Sequence, residues 1–305
     1  MTPLRLSIGH EVLFDVAAFD AVAQANGFYA AEGVEVTDRQ YPAGSGDAVQ
    51  LLVSDTVDVA LGVGMFATFA GVQKAPIDIV SSEWQGYSDI VYYVAADSPV
   101  RSLADVSGLR VATSRPGSST DALCKALQAQ LTATGRPPNE CAVIGSPPDN
   151  FTAVATGQIE VGWTTPPFFY DELASGRIRQ IGTGDDLDRY RGTTSRVNLA
   201  NHAVIEEDTA GVQAFFRAYQ RAIDWTYDNP EEAATIWSDA ADVELTPALR
   251  DAVYDVYRQD RVTLRSIDGL DVNLDAAAEF GILEEPLSEA DVRQRIVLDS
   301  VLPTS

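Results

Sequence analysis

The sequence contains few of the residues that build metal centres and redox sites. Its 305 residues include two histidines and two cysteines, without HxxxH or CxxC spacing, which argues against a catalytic transition metal. There is no GxxxxGK[S/T] or GxGxxG motif, so nothing predicts a nucleotide cofactor. We therefore expect neither a metal nor a cofactor. Cys124 lies on a predicted helix and is expected to be a small core residue.

Basic residues are also scarce. The chain has 21 Lys and Arg residues against 45 Asp and Glu residues, a net charge of −24, which disfavours nucleic acid and anionic membranes as partners. No apolar run approaches the ~20 residues that cross a bilayer, and the strand-like Leu4–Ile8 does not have the pattern of a signal peptide. Two locations stay open: cytoplasmic if Met1 is the native start, or extracytoplasmic if an export signal was removed.

The acidic charge is distributed unevenly along the chain. Residues 96–194 hold nine basic and eleven acidic residues, a net charge of −2, whereas the other 206 residues hold 12 and 34, a net charge of −22. A solvated acidic surface that favours solubility accounts for most of this charge. The nearly neutral middle third nevertheless predicts two bodies, one inserted in the other.

Short apolar segments alternate with helical patterns through the first two thirds of the chain. One strand-like run is Val57–Leu61, which is followed by Gly62 and a helical pattern. This alternation predicts parallel α/β sheets with a ligand crevice at the carboxyl ends of their strands. Thr164–Tyr170 is predicted to open a helix, with proline in its first turn. From Thr194 the chain becomes helical, with an amphipathic stripe formed by Val212, Phe215, Phe216, Tyr219 and Ile223.

The stretch Ser114–Leu127 has the features of an anion-binding turn. A strand, Leu109–Thr113, leads into a turn at Pro116 and Gly117, and a helix begins within Ser118–Thr120. The unpaired N–H groups and partial positive charge of a helix start suit a carboxylate, sulfonate or phosphate. Arg115 adds a guanidinium that can donate two hydrogen bonds to an oxyanion. The alternative is an ordinary capped helix whose hydroxyls serve only the backbone.

Several segments resemble a family of solute-binding proteins. Asn26–Val36, with the sequence NGFYAAEGVEV, resembles the G-F-F-x-x-E-G-L-x-V signature of ABC-importer binding proteins for taurine, aliphatic sulfonates, nitrate and thiamine-pyrimidine precursors. The resemblance continues at Val57–Leu61, Leu103–Val111, Ala155–Val161, Trp163–Pro166 and Asp228–Ala233. Together these segments extend over nearly the whole chain.

The resemblance implies the type II periplasmic-binding-protein fold. This is an α/β fold in which two mixed sheets flanked by helices form two lobes, with a ligand cleft between them. The lobes would be residues 1–95 plus 195–305 and residues 96–194, joined by hinge strands near 92–96 and 193–197. These boundaries coincide with the changes in charge. Such a protein is expected to be a monomer that does not insert into the membrane and that delivers its solute to an ABC-importer permease.

The resemblance also implies ligand contacts on the loops that follow the strands. Trp84 and Trp163 would stack on the ligand while helix N-termini bind its anionic group. Core packing is the alternative for both tryptophans, and it is favoured for Met65. The implied ligand-binding residues are His10, Glu11, Gly44, Ser45, Gly46, Gly64, Met65, Trp84, Gln85, Ser114, Arg115, Gly117, Ser118, Ser119, Thr120, Trp163, Thr164 and Thr165.

Two functions are compatible with these features. The first is a non-catalytic receptor for a small anionic or zwitterionic solute (a sulfonate, a carboxylate or a pyrimidine or aromatic acid). It is favoured because no catalytic set is complete. The second is a cytoplasmic enzyme of the same fold, a decarboxylase, desulfinase or lyase, that uses His10, Glu11 and Arg115. No cysteine lies on a predicted strand-end loop, which disfavours desulfinase chemistry, and His202 is expected to be structural.

Overall fold

The computed structural model describes residues 1–283 and 285–302. The strands within these residues are β1 (Thr2–Ile8), β2 (Val34–Gln40), β3 (Val59–Gly64), β4 (Ile77–Gln85), β5 (Val91–Ala95), β6 (Arg110–Thr113), β7 (Glu140–Val143), β8 (Gly162–Thr164), β9 (Ile178–Thr183) and β10 (Thr194–Asn201). The α-helices are α1 (Val16–Ala25), α2 (Phe28–Ala31), α3 (Ser45–Val53), α4 (Met65–Lys74), α5 (Ser119–Ala133), α6 (Pro147–Ala155), α7 (Tyr170–Ala174), α8 (His202–Glu207), α9 (Thr209–Asp228), α10 (Pro230–Ala241), α11 (Pro247–Val256), α12 (Leu270–Glu279), α13 (Glu289–Arg293) and α14 (Leu298–Val301).

The first sheet is mixed and has the strand order β2-β1-β3-β10-β4. β1 runs parallel to β2 and β3, whereas β10 runs antiparallel to β3 and β4. β3 is buried at all of its positions, as expected for an apolar strand covered on both faces. Because β1 and β3 are parallel, the loops that follow their carboxyl ends, at His10 and Gly64, lie at the same edge of the sheet.

The second sheet combines an antiparallel part, β8-β5-β9, with a parallel pair, β6-β7. Backbone hydrogen bonds from Ala112 to Val161 (2.9 Å) and from Val161 to Arg110 (3.2 Å) join the two parts. Helix α5 follows the carboxyl end of β6 and begins at this sheet's edge. The predicted α/β fold, with two mixed sheets flanked by helices, is confirmed.

The chain passes between the two sheets twice. β4 ends at Gln85 in the first sheet and β5 begins at Val91 in the second, and the chain returns between Thr183 of β9 and Thr194 of β10. β5 and β10 overlap the segments predicted as hinge strands. β5 pairs with β8 and β9, so the chain has already left the first sheet and entered the second at residue 91. The lobe boundaries themselves stay a prediction.

The predicted amphipathic stripe lies on α9 and is buried along its length. Phe215, Phe216 and Tyr219 have no exposed surface, and the ring of Phe215 stacks on Tyr29, with centroids 5.3 Å apart. Truncating one buried phenylalanine to alanine costs about 3–5 kcal/mol, so α9 is a main source of stability for the first sheet. Among the described residues, no helix is long and apolar enough to cross a membrane.

Two local predictions were wrong. The helical region begins at His202 and not at Thr194, because Thr194–Asn201 forms strand β10. Thr164–Phe169 does not open a helix: α7 begins at Tyr170 after a residue with left-handed backbone, Phe169 (φ 60°). The consecutive prolines at 166 and 167 disfavour helical geometry in the residues before them. The prediction that Cys124 is a core residue is confirmed by its full burial, and Cys124 also forms a disulfide with Cys141 of β7.

Candidate ligand-binding site

Helix α5 begins at the predicted anion-binding turn. Its N-cap residue is Ser118, whose Oγ accepts a hydrogen bond from the Asp121 N–H (3.2 Å) and donates one to the Arg115 carbonyl (2.7 Å). The hydroxyl of Thr120 accepts a hydrogen bond from the N–H of Ser114 (2.9 Å). Both hydroxyls are therefore hydrogen-bonded to backbone groups of the turn. These bonds fix the conformation of the turn in the absence of a ligand.

Three helix N-termini from the two sheets meet around Gly64. Gly64 precedes α4, and its N–H donates to Oγ of Ser45, the first residue of α3 (2.9 Å). A Cβ built on Gly64 would lie 3.1 Å from that Oγ and 3.3 Å from Oγ of Ser119, the first residue of α5. Each helix start carries partial positive charge and unpaired N–H groups. Such a convergence of donors and positive charge suits an oxyanion.

Arg115 extends from the second sheet to α3. Its Nη1 lies 3.4 Å from Oδ2 of Asp47 in the first turn of α3, and a Cβ added at Gly44 would overlap Nη2. The side chains of Arg115 and Asp47 are 43% and 50% exposed, so this ion pair contributes at most about 1 kcal/mol. The guanidinium is thus held weakly beside the three helix N-termini, where it can bind an oxyanion.

His10 and Glu11 both follow β1, but their surroundings differ. The His10 ring packs edge-on against Phe168 of the second sheet's loop, with centroids 6.0 Å apart. Burial lowers the pKa of His10, and Glu11 opposes that shift, so the imidazole is neutral at pH 7. Glu11 is exposed and borders a cavity of about 590 Å³ between α1 and α10, together with Asp20 and Arg39. No hydrogen bond within the described residues joins His10, Glu11 and Arg115.

The two predicted aromatic contacts are both buried. Trp84 is 1% exposed and packs edge-on against Tyr257, with ring centroids 5.1 Å apart. Trp163 is 7% exposed, and neither indole N–H has a hydrogen-bond partner within the described residues. The hydroxyl of Tyr257 lies 3.3 Å from that of Thr165. Tyr257 therefore connects Trp84 of the first sheet to the loop after β8.

Most of the other predicted residues have structural roles, and Gly46 does not. Met65 is fully buried in the core. The Gln85 amide contacts a serine hydroxyl of the C-terminal segment (3.3 Å), and the Thr164 hydroxyl donates to a backbone carbonyl of its own loop (2.9 Å). Gly117 has φ +76°, a backbone conformation that favours glycine, whereas a Cβ at Gly46 would meet no atom within 4 Å.

Two buried aspartates and a partly buried arginine were not predicted from the sequence. Arg196 of β10 forms an ion pair with Asp89, which lies between β4 and β5. Asp15 precedes α1 and is 5% exposed. Burial raises the pKa of Asp15 to about 6, Arg196 opposes that shift, and Asp89 adds to it. One feature of the sequence could have indicated that Asp15 is buried. It is the only charged residue in the apolar run Val12–Phe19.

Comparison of the sequence with known protein families identifies the family to which the chain belongs. The family described as NMT1/THI5 like matches residues 16–233, a range that contains all three helix N-termini around Gly64. The protein belongs to this family. The predicted resemblance to the sulfonate, nitrate and thiamine-precursor group is confirmed.

One curated relative of this NMT1/THI5-like chain is the putative aliphatic sulfonates-binding protein of Escherichia coli (strain K12). It is 24% identical over 220 residues, which make up 69% of this chain and 66% of the relative. The match therefore spans just under two thirds of the relative's length.

Solved structures share the fold over nearly the whole chain. The periplasmic aliphatic sulphonate binding protein SsuA from Escherichia coli superposes with a TM-score of 0.78 at 19% identity, covering 99% of both chains. The desulfurization enzyme DSZB superposes with a TM-score of 0.69 at 16% identity, covering 97% of both chains. This NMT1/THI5-like fold therefore occurs in a binding protein and in an enzyme, and the fold alone does not separate the two functions.

Proposed function

We propose that this protein is the solute-binding component of an ABC importer and binds a small anionic or zwitterionic organic solute, with a sulfonate or carboxylate as its anionic group. The solute would lie between the two sheets. The lobes would be residues 1–95 plus 195–305 and residues 96–194, connected through β5 and β10, so that closing the lobes encloses the solute.

The observation that carries this proposal is the convergence of α3, α4 and α5 around Gly64. Ser45 and Gly64 come from the first sheet's side, and Ser119 comes from the second. An oxyanion at this point would receive N–H groups and helix dipoles from both lobes. Arg115 would add a charged hydrogen bond, and such a bond contributes about 1.5–3 kcal/mol.

An extracytoplasmic location and a permease partner belong to the same proposal. The Cys124–Cys141 disulfide joins α5 to β7, and disulfides persist mainly in oxidising compartments such as the periplasm. The SsuA structure is described as periplasmic and the curated relative as a sulfonate-binding protein. We further propose that the protein acts as a monomer that docks on its permease after it closes.

The enzyme alternative has less support in the structure. Both cysteines of the chain lie in the disulfide, so desulfinase chemistry has no thiol nucleophile. His10 is placed between the sheets and is neutral at pH 7, but its ring packs on Phe168 and not on Arg115 or Glu11.

A thermal-shift screen against sulfonates, carboxylates, nitrate and pyrimidines tests the proposal, with calorimetry and mass spectrometry on each hit. A ligand at a hundred times its Kd adds about 2.7 kcal/mol of stability. The expected result is a sulfonate or carboxylate that binds and stays chemically intact. Consumption of the hit would establish an enzyme instead, and the absence of any oxyanion hit would overturn the proposal.

Substitution of Arg115 makes the test specific to the site. Arg115→Ala should weaken binding roughly tenfold to a hundredfold. Arg177→Ala is the matched control, because it also breaks an ion pair of an exposed arginine. The partner of Arg177 is Glu172 of α7 (2.9 Å), and α7 is not one of the three helices that begin around Gly64. Equal affinity of both variants and the unsubstituted protein would remove Arg115 from the site.

A further inference from the structure

Tyr87 lies in the short segment that connects the two sheets. It follows β4 and precedes β5, and it is 2% exposed. Its ring packs edge-on against Tyr190, with ring centroids 5.6 Å apart. Tyr190 in turn packs edge-on against Phe66 in the first turn of α4, with centroids 6.2 Å apart. These rings connect Tyr87 to one of the three helices that begin around Gly64.

The backbone of Tyr87 is held by the loop that follows β9. Its N–H donates to Oδ1 of Asp185 (2.6 Å), and its carbonyl oxygen accepts from the N–H of Gly184 (3.1 Å). A Cβ built on Gly184 would lie 2.5 Å from Cβ of Tyr87 and 3.1 Å from Cδ1 of Leu123 on α5. Ser119 is four residues before Leu123 and therefore on the same face of α5. Tyr87 thus lies beside the face of α5 that carries Ser119.

The hydroxyl of Tyr87 is buried and has no hydrogen-bond partner within the described residues. The hydroxyls of Tyr92, Tyr93 and Tyr190 are buried without such a partner as well. Burial raises the pKa of the Tyr87 phenol, and the hydroxyl of Ser119 is close enough to oppose that shift. Ser119 does not act on the pKa of the other three tyrosines. Of these four hydroxyls, that of Tyr87 is the one beside the start of α5.

Ser119 connects this hydroxyl to the proposed oxyanion site. Oγ of Ser119 lies 3.3 Å from a Cβ built on Gly64, and the Gly64 N–H donates to Oγ of Ser45 (2.9 Å). Buried tyrosine hydroxyls normally have a hydrogen-bond partner, and the groups that a helix start leaves unpaired are N–H donors. One acceptor at this point would satisfy the O–H of Tyr87 and the helix N–H groups together.

We propose that Tyr87 is a ligand-binding residue whose hydroxyl donates a hydrogen bond to the oxyanion of the solute. This inference rests on the proposed function, because it assumes that an oxyanion lies at the helix N-termini near Gly64. Burial keeps the phenol protonated, and a hydrogen bond from a hydroxyl to an anion is stronger than one between neutral groups. The contact comes from the segment between the sheets, so it is independent of the contact made by Arg115.

Tyr87→Phe tests this role because it removes the hydroxyl and keeps the ring. Calorimetry would use linear alkanesulfonates and alkanoates of two to six carbons, with benzenesulfonate and benzoate, and compare the variants with the tightest binder of that panel. The expected result is a loss of affinity of roughly tenfold or more, as for a hydrogen bond to a charged group. Without solute, the variant should be as stable in urea as the unsubstituted protein, because the hydroxyl has no partner to lose.

Tyr93→Phe is the matched control for this substitution. Tyr93 is also fully buried and its hydroxyl also has no partner within the described residues. That hydroxyl lies against Gly162 of β8 in the second sheet, where a Cβ would be 2.7 Å from it. The same chemical change at this position should leave the affinity unchanged.

The possible outcomes separate this inference from the proposed function. Equal affinity of Tyr87→Phe and the unsubstituted protein overturns the role of Tyr87 and leaves the receptor intact. Equal losses in Tyr87→Phe and Tyr93→Phe also overturn it, because the loss would not depend on the position beside Ser119. A Tyr87→Phe protein that is clearly less stable without solute would show that the hydroxyl already has a partner, with the same consequence. If no member of the panel binds the unsubstituted protein, the proposed function fails and this inference fails with it.

Discussion

The guanidinium of Arg115 lies directly against Gly44, from which it is separated by 71 positions in the sequence. A Cβ at Gly44 would overlap Nη2 and lie 3.1 Å from Cζ of Arg115. The backbone of Gly44 is extended, with φ 166°, a conformation open to any residue. The missing side chain at Gly44 thus determines where the charge of Arg115 can lie.

Gly44→Ala should reduce ligand affinity without a matching loss of stability. The new methyl displaces only the flexible end of an exposed arginine, so the free energy of unfolding should change by less than about 1 kcal/mol. The displaced guanidinium loses its charged hydrogen bond to the ligand, which should weaken binding roughly tenfold or more. Calorimetry and urea unfolding measure the two effects.

Gly46→Ala is the control for this substitution. It adds the same methyl two residues further along, where no protein atom lies within 4 Å, so it should leave the guanidinium of Arg115 in place and reports only a direct effect of the methyl on the ligand. In the double variant Gly44→Ala/Arg115→Ala, the two losses should not add, because both remove one interaction. Additive losses would show that Gly44 acts on the ligand independently of Arg115.

The pKa values of the two histidines should lie on opposite sides of the ordinary histidine pKa. Burial lowers the pKa of His10, whereas a hydrogen bond to Asp78 raises the pKa of His202. NMR titration of the two imidazoles should therefore give one pKa below 6.5 and one above. Asp78→Asn should lower the higher pKa only. Two unshifted values, or a change in the lower one, would contradict the structure.

These shifts also give the sign of the pH dependence of stability. The ion pair of His202 stabilises the fold fully below pH 6.5, and that contribution is lost as pH rises through the raised pKa. Protonation of His10 opposes folding, so its effect appears as pH falls from 6.5 through the lowered pKa. His202→Gln should remove the first dependence and keep the second in urea unfolding.

Glu83 should make the fold less stable as pH rises. It is 2% exposed on β4, where Oε2 accepts a hydrogen bond from Asn198 (2.5 Å) and Oε1 one from Tyr219 (3.1 Å), and burial raises its pKa to about 8. Between its unfolded pKa and about 8, the folded state holds a proton that the unfolded state has lost. The free energy of unfolding therefore falls with pH, by up to about 1.4 kcal/mol per unit.

Glu83→Gln tests this effect because glutamine keeps the shape of the neutral acid. Urea unfolding at pH 5 and pH 8 should show a smaller decrease for the variant than for the unsubstituted protein. Glu35→Gln, at an exposed position of β2, is the control and should leave the decrease unchanged. An equal decrease in all three proteins would mean that Glu83 is ionised in the folded state.

Loss of the disulfide should lower stability. Cys124 and Cys141 are 17 residues apart, and closing a loop of that length restricts the unfolded chain by about 3 kcal/mol. Replacing both residues by alanine should reduce the free energy of unfolding by about that amount. A reductant should destabilise the unsubstituted protein similarly and leave the variant unchanged. Two free thiols in the non-reduced, unfolded protein would contradict the disulfide.

Much of the fold could be predicted because its signals are local. The α9 stripe is a repeat of apolar residues at helical spacing, and the turn from Thr113 to Ser119 contains its own proline, glycine and capping hydroxyls. The misplaced start of α7 has a local cause as well, because the two prolines favour a loop over the predicted first turn.

The sequence by itself determined the alternating strands and helices of the α/β fold, the amphipathic stripe of α9 and the capped turn before α5, since these depend on neighbours within a few residues. Only the tertiary structure decided which distant residues meet. It placed Arg196 against Asp89, 107 positions away, and it joined Cys124 to Cys141. It also brought three helix N-termini together at Gly64. Such contacts depend on how the sheets pack, because burial selects partners by position in space and not by spacing along the chain.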